Sequence, residues 1–323
     1  MAQLSFLDDR NVVGQFRRAY ATSQERSWAT PIAVQLDSDK ETEAYRWLGA
    51  APPLREWRGH RLLVPPGRYT TSISNVKYEA SMQFDVDDIR RTAKAGNQIP
   101  LVIQEMAAKA AMHPEVLLTT LIQDADTTTS GLAYDGQQMV DTDHSEGASG
   151  TQINDLSVTQ LPAADVVTTT APTPTEWANV LMQALGWQYT YLDDQADPTN
   201  QDAREFMVMV GTPSLFAGLV QAINVNMLAN GSNNPLQGLT SQKNITITPV
   251  LNTRRSAATA EFDMFRVDGP KAFIHQTEVP LQTQSITVGS ELEFTEDAHR
   301  FGVKVVEGAG YLYWQSMMEI TFS

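Results

Sequence analysis

The chain has 323 residues, 42% hydrophobic and 19% charged, which suits a folded protein with an ample core rather than a disordered one. It contains no cysteine, which excludes disulfides, thiolate nucleophiles, zinc ribbons and iron–sulfur ligation. The formal charge of −15 divides unevenly, +2 over residues 1–100 and −17 over residues 101–323, so the body opposes nucleic-acid binding, which needs basic side chains against phosphates.

The first ten residues, Met1 to Arg10, show no basic region followed by an apolar run, so no secretory signal is expected. No stretch approaches the roughly 18 uninterrupted apolar residues of a membrane-spanning helix. Residues 1–30 predict a short helix with Val12, Val13, Phe16 and Tyr20 on one face, then polar coil. Pro31 to His60 is irregular and rich in aromatics and arginine. Within it, Pro52 and Pro53 fix φ and remove two backbone donors between Trp47 and Trp57. Large aromatics with one polar handle are favoured where a surface is buried against a partner. This segment therefore predicts an arm that docks onto something.

Arg61-Leu-Leu-Val64 begins a strand that Pro65-Pro66-Gly67 breaks. Tyr69 to Phe84 alternates, with a change of register near Ser74-Asn75, and predicts a β-hairpin with its turn there and Lys77 near the tip. Asp85-Val-Asp-Asp88 places carboxylates at a helix start, and Gly96-Asn97 ends that short helix. The strongest helix follows, with Pro100 in its first turn and Ile99, Val102, Ile103, Met106, Ala107 and Ala110 on one face. Pro114 kinks or restarts it, and Val116, Leu117, Leu118, Leu121 and Ile122 carry it to Asp124. The two segments make a rod about 40 Å long at about 1.5 Å per residue.

Thr127 to Pro174 is loop-rich, acidic and expected to be exposed. Thr175-Glu-Trp177 opens a helix through Leu185, and Phe206–Val210 reads as a buried strand. Thr212-Pro213-Ser214 caps a helix bearing Leu215, Phe216, Leu219, Val220, Ile223 and Met227. Ala229 to Pro235 is a loop. After about residue 243 the pattern alternates as β structure, at Ile245-Thr-Ile-Thr248, Ala260 to Val267, Ala272 to Val279 and finally Tyr311 to Phe322. There is no internal repeat.

Catalytic chemistry finds little support. Asp135, Asp141, Asp143, His144 and Glu146 are the nearest thing to a metal site, and oxygen-loving magnesium or calcium would suit them. However, no second histidine stands at ligand spacing and no glycine-centred calcium loop is present, so a solvated acidic loop is the favoured reading. There is no Gly-x-Ser-x-Gly turn for a serine nucleophile and no phosphate-cradling Gly-Lys-Ser/Thr loop. Asp87/Asp88 and Asp193/Asp194 read as a helix cap and a turn.

Tyr45-Arg-Trp-Leu-Gly-Ala-Ala-Pro-Pro-Leu-Arg-Glu-Trp-Arg-Gly-His-Arg61 closely resembles a signature of the major head subunits of Mu-like phages. Further stretches are similar to that family in the same order. They are Tyr78-Glu-Ala-Ser-Met-Gln-Phe-Asp-Val-Asp-Asp88, Gln104 to Glu115, Tyr134-Asp-Gly-Gln-Gln-Met-Val-Asp-Thr-Asp-His144, Phe294 to Gly302 and Gly308 to Trp314. Residues 145–205 are unmatched by motif. The resemblance implies an α+β chain with the tailed-phage capsid fold first described for phage Hong Kong 97 (the HK97-like fold). Its expected parts are an N-terminal arm (1–60), an extended-loop β-hairpin (61–85), a peripheral domain with a spine helix (86–126 and 243–323) and an axial domain (127–242).

The implied function is a major capsid protein that self-assembles as hexamers and pentamers into an icosahedral head, enclosing DNA without sequence-specific binding. Catalysis, cofactor, metal and membrane are not expected. Localisation would be the virion, assembled in the host cytoplasm, with decoration, scaffolding and portal proteins as further partners. Scaffolding is expected to be a separate protein. Candidate interface residues are Trp47, Arg55, Trp57, Arg61, Arg68, Tyr69, Lys77, Tyr78 and Glu79. In the type phage a hairpin lysine forms an isopeptide with a neighbour's asparagine. No matched asparagine or glutamate is found, so Lys77 reads as a charged residue pairing across an interface. The alternatives are a cellular nanocompartment shell of the same fold and, in another class, a metal-dependent hydrolase using Asp141, Asp143 and His144.

Overall fold

The computed structural model describes residues 9–47, 59, 69–88, 99–161, 166–228, 231, 233–243 and 245–323. Two sheets organise it. The first has four strands: β1 (Ala33–Asp37), β4 (Val76–Asp85), β11 (Phe273–Ile286) and β12 (Ala298–Tyr311), in the order β1-β11-β12-β4. The second has five: β7 (Asp155–Ser157), β8 (Glu205–Val210), β9 (Thr246–Leu251), β10 (Glu261–Arg266) and β13 (Met317–Thr321), in the order β7-β13-β10-β8-β9. Among the described residues two ribbons complete the β structure, β2 (Thr42–Trp47) with β3 (Tyr69–Ser74) and β5 (His144–Ser145) with β6 (Thr151–Gln152).

The amphipathic patterns are used as read. Helix α1 (Asp9–Gln24) lies along α3 (Ile99–Ala111), and Phe16, Ile103, Met106 and Ala107 close over Phe301 and Val303 of β12. After a four-residue α2 (Ala29–Ile32), the chain enters β1 directly, parallel to β11. Helix α4 (His113–Gln123) follows α3 with only Met112 between them, and Pro114 sits in its first turn, where a missing donor costs nothing. Asp85 caps the turn beginning at residue 86 by accepting from the Asp87 and Asp88 N–H groups.

The larger core is roofed by α5 (Pro174–Gln188), α6 (Pro213–Asn224) and α7 (Pro235–Lys243). Thr173 and Glu176 form a capping box at α5, and Thr212 caps α6. Trp177 stands at the centre, 5.0 Å from Phe262 and 4.9 Å from Phe322 between ring centroids. Phe206 to Val210 are all buried, which explains a continuous apolar run without alternation. A short helix, α8 (Glu291–Glu296), joins β11 to β12.

Four expectations are corrected. Tyr69–Phe84 is not a hairpin: β3 pairs antiparallel with β2, while β4 pairs with β12 from Asp85↔Ala298 to Val76↔Glu307. Alternation identifies a strand but not its partner, and Asn75 is no turn. Its side-chain amide donates to Ser38 Oγ and Lys40 O, and its N–H to Glu41 O, as the chain passes from ribbon to sheet. Lys77 is therefore a position on an edge strand rather than near a tip. Residues 31–60 contain β1 and β2, so their described part is not irregular. The final strand is interrupted by a turn at Trp314–Ser316. The expected boundary at residue 243 falls between β8 and β9, which are parallel neighbours in one sheet, and β10 and β13 join them there.

Candidate functional site

The extended ribbon and the edge strand beside it carry most of the candidate residues. Trp47 and Tyr69 lie opposite each other at the last described pair of β2–β3, so the chain between them starts and ends at one place. Arg55, Trp57, Arg61 and Arg68 fall between those two positions, outside the described residues. Residues 48–68 hold four arginines and one glutamate, a basic excess on a chain of −15. Lys77 and Glu79 are exposed on one face of β4, as its two-residue period requires. Tyr78 takes the other face, its ring 4.3 Å from that of His113, and burial pushes its hydroxyl pKa up. The structure thus brings Trp47 and Tyr69 together and separates them from Lys77, Tyr78 and Glu79.

Behind β4 a buried polar chain ties the sheet to the helices. Glu307 of β12 meets the His113 ring at the start of α4, and its other oxygen lies 3.0 Å from His275 Nε2 of β11. His275 Nδ1 is 2.6 Å from Gln35 Oε1 of β1. Burial alone raises the Glu307 pKa, but hydrogen bonds from His113 and His275 outweigh it and hold the carboxylate down at about 2.

In its described part, the acidic stretch from Thr127 to Pro174 is not solvated at its centre, contrary to expectation. His144 is 0% exposed, stacked on Trp314 at 4.1 Å, with Nδ1 2.6 Å from Asp135 and Nε2 3.1 Å from Asn154. With both nitrogens engaged, it has none left for a metal or a substrate. Asp143 is exposed and accepts from Gln137, and Asp141 accepts from the Thr142 N–H, so Asp141, Asp143 and His144 do not converge. Glu146 is buried and accepts from Tyr134, Trp314 and Gln315; burial raises its pKa. Among the described residues no group of three His, Asp or Glu side chains is placed to hold a metal ion.

A second buried node lies in the five-stranded sheet. Arg255 donates to Asp263, Glu261 and Glu319, three carboxylates around one guanidinium. Sequence reading missed this node, and it missed Glu307, Gln276 and Asn154. Each stands alone in an alternating or loop segment, and only the pairing of distant strands gives it partners. Among the described residues no helix is long and apolar enough to cross a membrane.

Residues 9–167 match the family described as the Mu-like prophage major head subunit gpT. The major capsid protein of Escherichia phage Mu is 33% identical over 113 residues, a stretch that covers 35% of this chain and 35% of that protein, about a third of its length. The capsid structure of the cyanophage P-SCSP1u superposes with a TM-score of 0.54 at 16% identity, covering 91% of this chain and 86% of the other. The mature capsid of bacteriophage PhiM1 gives 0.53 at 12% identity, covering 92% and 87%. The fold is that of phage capsid subunits, α+β and HK97-like.

Proposed function

We propose, from a first half matching the Mu-like major head subunits and a fold shared with phage capsids, that this chain is a major capsid protein. It builds an icosahedral head from hexamers and pentamers of itself, without catalysis, and encloses double-stranded DNA. The family match over residues 9–167 carries this reading, because it covers the ribbon and the segment between its strands. A ribbon of two strands is only marginally stable alone, so β2–β3 and the basic segment it presents call for a neighbouring subunit. The acidic body of a second copy supplies complementary charge.

On this reading residues 42–74 are the extended loop, the four-stranded sheet with α3 and α4 forms the peripheral domain, and the five-stranded sheet with α5, α6 and α7 forms the axial domain. Trp47, Arg55, Trp57, Arg61, Arg68 and Tyr69 contact one neighbour, and Lys77 and Glu79 face outward from the edge strand beside them. Assembly takes place in the host cytoplasm and the product is the virion. Portal, scaffolding and decoration proteins are further partners. An acidic body lets packaged DNA move during filling and ejection; a basic inner wall in an assembled particle would contradict that.

Sedimentation of the purified chain tests the proposal. Species of five and six copies, or closed shells, are expected, whereas a monomer at every concentration would refute it. DNA rather than enzyme cargo should co-purify with shells formed in infected cells.

A further inference from the structure

The two faces of the β11–β12 pair do different work. His275, Glu307 and Tyr311 project toward α4, where Tyr311 Oη donates to Leu121 O at 2.7 Å. The opposite face carries Ile274 and Gln276 of β11 beside Gly310 and Gly308 of β12, in direct register. Onto this face comes the root of the ribbon. Ile73 packs with Ile274 and Leu312, and Tyr45 lies against them.

Gln276, 0% exposed, is fully used at that root. Its Oε1 accepts from Tyr45 Oη at 2.7 Å, and its Nε2 donates to Ile73 O at 3.1 Å and to Asn75 Oδ1 at 2.8 Å. One amide thus grips both strands of the ribbon and the residue where the chain leaves it. The glycines make room for this. A Cβ on Gly308 would stand 2.5 Å from Ser74 O, and one on Gly310 would stand 2.6 Å from Ile73 Cγ1 and 2.7 Å from its Cδ1. Neither glycine has a positive φ, so close approach, not backbone freedom, requires them. On one side the ribbon is separated from residues 130–136 by an open cleft of about 510 Å³ lined by Thr70 to Ser74.

We propose that Gln276, Gly308 and Gly310 are positioning residues forming a single joint, which sets the angle at which β2–β3 leaves the body and hence which surface of a second copy it reaches. The last clause rests on the assembly reading; the joint itself does not. About 20 Å of ribbon, at about 3.3 Å per residue, turns a displacement of about 1 Å at the root into several ångströms at Trp47 and Tyr69.

The absence of cysteine allows a direct test. Spin labels are placed at Arg46→Cys on the ribbon and Thr120→Cys on α4, and their separation is measured by pulsed dipolar spectroscopy in the full chain. Gly308→Ala and Gly310→Ala should each shift the distance by several ångströms. Adding Ile73→Ala should restore the parental distance in Gly310→Ala, whose clash is with that side chain, and not in Gly308→Ala, whose clash is with backbone. Gln276→Leu, which removes three hydrogen bonds without adding bulk, should broaden the distribution and covers the case of a glycine variant that does not fold. Unchanged distributions in the folded variants would overturn the joint. In the same preparations, failure of the parental protein to assemble would overturn the assembly reading while leaving the distances to decide the joint.

Discussion

Glu307 is the carboxylate at which α4, β11 and β12 meet, and its chemistry has a consequence in acid. Its pKa is about 2 in the fold against an ordinary 4.5. A depressed carboxylate adds stability that is fully present above about 4.5 and is lost as pH falls toward 2. The contribution is on the order of 3 kcal/mol at neutral pH. Glu307→Gln should lower the urea midpoint at pH 7, and the gap from the parental protein should close between pH 4.5 and 2. A gap that stays constant with pH would contradict this. Glu319 behaves in the opposite sense. Burial and the neighbouring Asp263 charge raise its pKa, with Arg255 only partly offsetting them. The fold therefore favours its protonated form, and stability falls as pH rises above its ordinary 4.5. Glu319→Gln, which resembles the protonated acid, should flatten that decline between pH 5 and 9 in thermal melts; an unchanged slope would count against the account.

The elements differ in how plainly they could be read. Helices α1, α3, α4, α5 and α6 follow from periodicity and caps, because a helix makes its hydrogen bonds within itself and its signals are local. Strand partners are not local. The alternating run at 69–84 holds two strands, yet their partners are residues 42–47 and 298–307, set by packing that no short window contains. The acidic loop misled in another way. Its polar residues suggested solvent, but Asn154 is 0% exposed and holds the loop to the carboxyl-terminal strand, donating to Met139 O at 2.8 Å and Met317 O at 3.1 Å. Its Oδ1 also accepts from the Asp141 N–H at 2.8 Å. A buried amide satisfied this fully leaves several groups unpaired when it is truncated, so Asn154→Ala should cost about 3 kcal/mol. Proteolysis should then cut within residues 127–161 at protease levels that spare the parental chain.

For the whole molecule, the sequence resemblance pointed to the family whose match spans residues 9–167 and to the fold class, while the route of the chain through both sheets needed the structure. The Trp47–Trp57 segment shows why. Its aromatics and arginines predict a docking surface, and what the structure adds concerns the two strands on either side of it, which pair from Thr42↔Ser74 to Trp47↔Tyr69 as a ribbon fastened to the body at one root. On that arrangement Trp47→Ala and Trp57→Ala should leave soluble, folded subunits whose yield of particles falls at least tenfold, since a buried aromatic anchor carries about 2 kcal/mol or more at an interface. The most direct measurement is electron microscopy of the purified parental protein beside these two variants. Uniform polyhedral shells or six-fold rings from the parental chain, and largely unassembled subunits from the variants, are predicted. A parental preparation of discrete monomers or dimers, or normal shells from both variants, would contradict the account.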